Sequence, residues 1–135
     1  MKQSVTQELD YGCGVACFAY ACNMTFKQAQ KFLGVTYSVK HGWRPSDLVS
    51  QLNRYGFKYK NHYVRKKLDA VCPIGTIVLI ERSPSYPVGH YLILGKAGWM
   101  DPWINLPISN NLSLAESGFR AKLPGKAMYA LTPES

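Results

Sequence analysis

No window of the chain approaches the ~18–20 uninterrupted apolar residues of a membrane-spanning helix. The first ten residues, MKQSVTQELD, lack the apolar run of a secretory signal. These two absences set the expectation of a cytoplasmic protein without a membrane span, of bacterial or viral origin. Internal repeats, low-complexity tracts and linkers are also missing, which argues against solenoids and tethered modules. Acidic residues are scarce, with 8 Asp and Glu against 16 Lys and Arg and a net charge of +8. That surplus points towards acidic partners, nucleic acid or an anionic surface without choosing among them.

What is present is globular. The chain has 135 residues, 47% of them hydrophobic and 18% charged, enough to bury a core without disulfide or metal staples. A single domain spanning 1–135, and a monomer, is the expectation. Basic residues concentrate in FKYKNHYVRKK, residues 57–67, where Lys58, Lys60, Arg65, Lys66 and Lys67 alternate with Tyr59, His62 and Tyr63. Charge interleaved with rings is how single-stranded nucleic acid is held. It is more often the texture of an edge strand whose lysines discourage pairing with other chains. A nucleic acid or an acidic protein is therefore a candidate partner for this stretch.

The hydrophobic period changes along the chain. Cys13 to about Asn23 reads as a helix with Val15, Phe18, Ala19 and Cys22 on a buried stripe. TFKQAQKFLG reads as a second helix, with a Thr25–Gln28 capping box and Gly34 as its stop. RPSDLVSQLNRYG reads as a third, with Ser46 as cap and Gly56 as stop. From residue 57 onwards strands replace helices. They are FKYKNHYV, GTIVLIE, a hairpin in GHYLILGKAGWMDPW turning at Gly-Lys-Ala-Gly, and AMYALTP. The expected class is α+β, an N-terminal helical lobe packed against a C-terminal antiparallel sheet. A cleft between the two is a natural place for a site.

Three of the four cysteines fall within QELDYGCGVACFAYAC. A structural zinc site calls for C-x2–4-C pairs with a distant second pair or an H-x3–5-H, and neither follows. Cysteines on one short helix are poorly placed to bridge each other. Cys17, Cys22 and Cys72 read as small buried apolar residues. Cys13 differs, because it lies between Gly12 and Gly14 at the expected first turn of the helix. The unpaired N–H groups and dipole there favour a thiolate, and the Cys13 N–H can face an oxyanion. Flanking glycines would also let a substrate backbone approach.

A nucleophile needs a second oxyanion donor, a base and a group to orient that base. Gln7, six residues earlier, has an amide within reach if the loop curls back. His90 opens the apolar strand HYLIL, and Asp101 lies on the next strand of the hairpin, placed to accept from the imidazole. Taken singly, each has an ordinary alternative: a strand-starting His is usually structural, an Asp before Pro a turn residue and a Gln near the start a surface residue. His41 and His62 are rivals for the base, without an Asp placed as Asp101 is. Trp43, Tyr86, Trp99 and Trp103 fit either a groove or the core. Pro84, Tyr86, Pro87 and Gly89 suggest a shaped loop at the cleft's rim.

Taken together, Gln7 followed by CGVAC, then GHYLIL, then Asp101-Pro102, resemble the C39 peptidase-like family of the papain-like cysteine peptidase superfamily. The likeness extends over roughly residues 3 to 105, including RPSDLVSQLNRYGF and CPIGTIVLIE. It implies a papain-like fold, with Cys13 as nucleophile, His90 as general base and acid, Asp101 as orienter and Gln7 as oxyanion donor. It also implies a polypeptide substrate, hydrolysed at a peptide or isopeptide bond, with no metal and no cofactor. The family commonly has Asp directly before the nucleophile, and here Gly12 stands there, with Asp10 two residues earlier. That departure points to a substrate other than the double-glycine leaders trimmed by the best-known branch. Acyl transfer is the neighbouring outcome of the same chemistry, and a non-catalytic basic binding module is the reading from another class.

Overall fold

A computed structural model of the chain describes residues 2–34, 43–64, 72–106 and 111–134. The helical part comprises α1 (Cys13–Cys22), α2 (Phe26–Leu33) and α3 (Pro45–Tyr55). The strands are β1 (Tyr59–Tyr63), β2 (Ile77–Ile80), β3 (His90–Gly95), β4 (Gly98–Asp101), β5 (Gly118–Arg120) and β6 (Ala127–Pro133). They form one antiparallel sheet in the order β1-β6-β2-β3-β4-β5. Helices thus precede a sheet, which is the α+β arrangement expected from the change of period.

Helix α1 is buried almost all round, from Gly14 to Tyr20, and not along a single stripe. It is the central helix of the molecule and packs on β3, with Val15 and Phe18 among Leu48, Leu52, Ile77, Ile93 and Met100. Each such side chain contributes roughly 1.5–3 kcal/mol on leaving water. Asn23, left-handed at φ 57°, ends the helix and returns its N–H to Ala19. Helix α2 has the full capping box between Thr25 and Gln28. Helix α3 starts two residues earlier than its serine suggests. Arg44 is the cap, Pro45 fills the first position where no N–H is needed, and Ser46 lies inside the helix.

The sheet has apolar clusters on both faces. Val78, Ile80, Leu92, Ala130, Tyr86 and Trp99 form the one away from α1. The β3–β4 hairpin turns at Lys96-Ala97 as expected, with Gly95 opposite Gly98. Gly98 has φ 124°, and a Cβ there would meet the Arg120 carbonyl oxygen at 2.6 Å. That close approach seats the three-residue strand β5, which is too short to show alternation in sequence. A 3-10 turn at Leu112–Leu114 precedes it. Strand β1 lies at the sheet edge, with only Tyr59 buried. Cys17 and Cys22 are buried as expected, but Cys72 is partly exposed, because it falls ahead of β2 and outside the packed layers. No disulfide joins the four cysteines. No helix among the described residues is long and apolar enough to cross a membrane. His41, Arg65, Lys66 and Lys67 lie outside the described residues.

Candidate active site

A cleft of about 430 Å³ lies where the start of α1 meets the start of β3, lined among others by Gln7, Cys13, His90, Trp43, Tyr86 and Trp103. Gly12 caps α1 without any side-chain cap, and no acidic residue occupies the first turn. The first N–H groups and the positive end of the helix therefore meet no side-chain cap and no carboxylate of the first turn at Cys13. Cys13 itself is half-buried.

The partner groups come from the sheet. Ile93 stands opposite Met100, and Trp99 opposite Arg120. Alternation then places His90, Asp101 and Arg120 on one face, as diagonal neighbours on three adjacent strands. The His90 Nε2 lies 2.6 Å from Asp101 Oδ1. Cys13 is within hydrogen-bonding reach of the same imidazole, which leaves Nδ1 for the sulfur. Asp101 is fully buried, and every contact it makes is a donor. Oδ1 also accepts from the Trp103 backbone N–H at 2.9 Å, and Oδ2 accepts from Arg120 Nε at 2.7 Å. The Tyr86 ring stacks on His90, centroids 4.9 Å apart.

This setting polarises the ionisation. Burial opposes a charge on His90. The Asp101 hydrogen bond and the neighbouring Cys13 outweigh it, and the imidazole is pushed up to about 9. Burial likewise works against the Asp101 carboxylate, but His90, Arg120 and the Trp103 N–H hold it below its usual range. Burial pushes the Cys17 thiol well up, and Cys22 up to about 12 against a small opposing pull from Lys2.

Gln7 is buried at the same cleft, tied by its backbone N–H to the Pro102 carbonyl at 3.2 Å. Its Nε2 donates to the carbonyls of Leu9 at 2.9 Å and Asp10 at 3.2 Å, and its Oε1 is buried without a hydrogen-bond partner. Of the rivals for the base, His62 is exposed and engaged with Thr132 at 2.9 Å. Of the four aromatics, Trp43, Tyr86 and Trp103 line the cleft, while Trp99 packs in the core on the outer face of the sheet. Pro87 and Gly89 stand at the rim with Tyr86. Sequence reasoning missed Arg120. A lone arginine in GFR has no local signal, and only the β4–β5 register brings it to Asp101.

The flanking glycines serve packing first. A Cβ on Gly12 would meet the Phe26 ring at 2.9 Å and the Leu9 carbonyl at 3.0 Å, and one on Gly14 would touch Trp43 and Tyr91 at 3.4 Å. An aspartate at position 12 has no room while Phe26 stays buried. Gly12→Asp should destabilise the fold by about 1–3 kcal/mol, read as a lower urea midpoint at unchanged slope. An unaltered midpoint would mean that Phe26 swings aside at no cost.

A second, larger cleft of about 730 Å³ opens at the other end of α1, beside Tyr20, Phe57, Ile74 and Lys58. Among the described residues no Cys or His lines it, and the smaller cleft is where the chemistry-bearing groups meet.

Among solved structures, the chain is similar to the peptidase domain of Streptococcus ComA, a bi-functional ABC transporter involved in a quorum-sensing pathway. The TM-score is 0.61 at 15% identity, over 98% of each chain. The fold is that of a peptidase domain. At that identity the likeness speaks for the fold, the one the sequence motifs led us to expect. No protein-family model matches the sequence, and no curated protein matches it.

Proposed function

We propose that the protein is a cysteine peptidase that hydrolyses a peptide or isopeptide bond through a thioester on Cys13. The observation that carries this reading is the Cys13–His90–Asp101 chain, with its 2.6 Å buried His90–Asp101 bond, at the open start of α1. In this reading Cys13 Sγ attacks the scissile carbonyl carbon, and the carbonyl π electrons move to oxygen. The Cys13 N–H and a Gln7 Nε2–H stabilise that oxyanion, the amide giving up its longer contact to the Asp10 carbonyl. Protonated His90 gives its proton to the leaving nitrogen as the C–N bond breaks. Neutral His90 then takes a proton from water as the water oxygen attacks the thioester. Collapse of the second intermediate releases the acid and returns the Cys13 thiolate. If an amine replaces water, the same steps give acyl transfer.

Within the basic stretch 57–67, Lys60 is ion-paired with Glu134 at 3.3 Å and His62 is bonded to Thr132. These contacts favour an edge strand with a solvated face over a nucleic-acid platform.

The test is selective alkylation. Iodoacetamide at neutral pH should label Cys13 about 10²-fold faster than partly exposed Cys72. Cys17 and Cys22, buried with raised thiols, should label only after unfolding. Equal, slow labelling of Cys13 and Cys72 would remove the nucleophile from the proposal.

A further inference from the structure

The Asp101 carboxylate is shared. His90 holds one oxygen at 2.6 Å, and Arg120 Nε holds the other at 2.7 Å, with Asp101 wholly out of solvent. Arg120 does more than neutralise, because its Nη2 also donates to the Ile104 carbonyl at 2.9 Å and approaches the Tyr86 hydroxyl at 3.5 Å. Tyr86 is the ring stacked on His90. One guanidinium therefore fixes both the group that His90 bonds and the group that His90 packs on. A planar fork with several donors does this, and a lysine ammonium cannot reproduce it in full.

We propose that Arg120 is a positioning residue of the catalytic site: it holds the Asp101 carboxylate in line with the His90 imidazole and offsets part of its charge, so that the imidazole can release its proton to the leaving group. This inference rests on the peptidase reading above and adds the control of its acid–base group.

Two opposing pulls act on the imidazole. A buried carboxylate facing only an imidazole holds the imidazolium so firmly that the cation becomes a poor acid. A fixed cation on the far oxygen weakens that hold without displacing the hydrogen bond. The groups facing His90 are Cys13, with Cys17 one turn further along α1, Tyr86 from the preceding loop, Asp101 from β4, and Arg120 through Asp101 from β5. Asp10 and Arg82 stand at the cleft's exposed rim. Of the groups around Asp101, Arg120 is the one whose charge does not change across the working pH range.

The experiment is a direct titration of the His90 ring by NMR in wild type, Arg120→Gln and Arg120→Lys, each checked for native fold by its backbone spectrum. Arg120→Gln should move the His90 midpoint up by about one pH unit. Arg120→Lys, which keeps the cation, should stay within about 0.3 of wild type. An unmoved midpoint in folded Arg120→Gln overturns the proposal, as does an equal shift in both variants, since lost packing would explain that. If Arg120→Gln does not fold, the wild-type Arg120 Nε–H resonance decides. It should move with the His90 midpoint, and a flat response overturns the inference. Cys13 alkylation in the same wild-type sample tests the peptidase reading separately. Slow Cys13 with a shifted His90 midpoint would sink that reading and leave the Arg120–Asp101–His90 coupling standing.

Discussion

Cells making the Cys13→Ala variant should lack every new protein N-terminus that wild-type cells show, with cleavage down by about 10⁵-fold or more. The expectation follows from the division of labour in the site. Removing the sulfur leaves the helix terminus, the imidazole and the cleft in place, but no atom that can form the thioester. Alanine fits the space, since Cys13 is half-buried and the smaller side chain only removes the sulfur that faces His90. Fold and thermal midpoint should therefore be close to wild type, which makes the comparison clean. Identical sets of N-termini from the two strains would sink peptide hydrolysis. Loss of a cross-linked product instead would move the reading to acyl transfer.

The second large effect concerns Asp101. Asp101→Asn keeps the shape but replaces an all-acceptor group with one acceptor and one donor. The carboxylate now accepts from three donors: His90, the Trp103 N–H and Arg120. An amide cannot accept from His90 Nε2 and Arg120 Nε together, so either the imidazole faces a donor in the wrong tautomer or the arginine does, and in both cases the arginine loses its counter-charge. Turnover should fall about 10⁴-fold, the scale of tautomer loss in related acyl-transfer triads. Stability should fall by about 3–5 kcal/mol, the scale for removing one partner of a buried pair.

The pH dependence carries a sign that can be checked in the same melts. His90 stands at about 9 in the folded protein against an ordinary 6.5. Its contribution to stability is complete below pH 6.5 and is lost as pH rises through 9. Asp101 is lowered from 3.8, so its contribution is present above that pH and is lost as the solution becomes more acidic. Wild-type Tm should decline between pH 6.5 and 9, the two His90 values, while Asp101→Asn should show a flatter profile there. Parallel profiles would separate His90's ionisation from Asp101.

The elements that were legible in the sequence share a cause: local chemistry decided them. The Thr25–Gln28 box, the stop at Gly56 and the Lys96-Ala97 turn are settled within a few residues. Cys13, His90 and Asp101 could be singled out because each sits at a readable boundary, a helix start or a strand end. Arg120 could not, since its partner lies 19 residues away and only sheet register joins them. The packing role of the glycines around Cys13 was hidden for a similar reason. Phe26 and Tyr91, which fill the space beside them, come from other elements. Gln7 lies at the cleft, but the partners of its amide are loop carbonyls that no spacing rule supplies.

The segment leading to Gln7 has a consequence for how the protein divides. Ser4 and Thr6 both hydrogen-bond Ser117 at 2.8 Å, and the Gln7 N–H is held by Pro102. A fragment ending at Asp101 would contain Gln7, Cys13, His90 and Asp101, and yet would lose everything that seats Gln7 from behind, together with Arg120. The smallest competent unit is therefore set by the anchors and not by the reacting groups. Those anchors join residues 111 and 113 positions apart, so any division of the chain between the first strand and β5 separates the chemistry from its support.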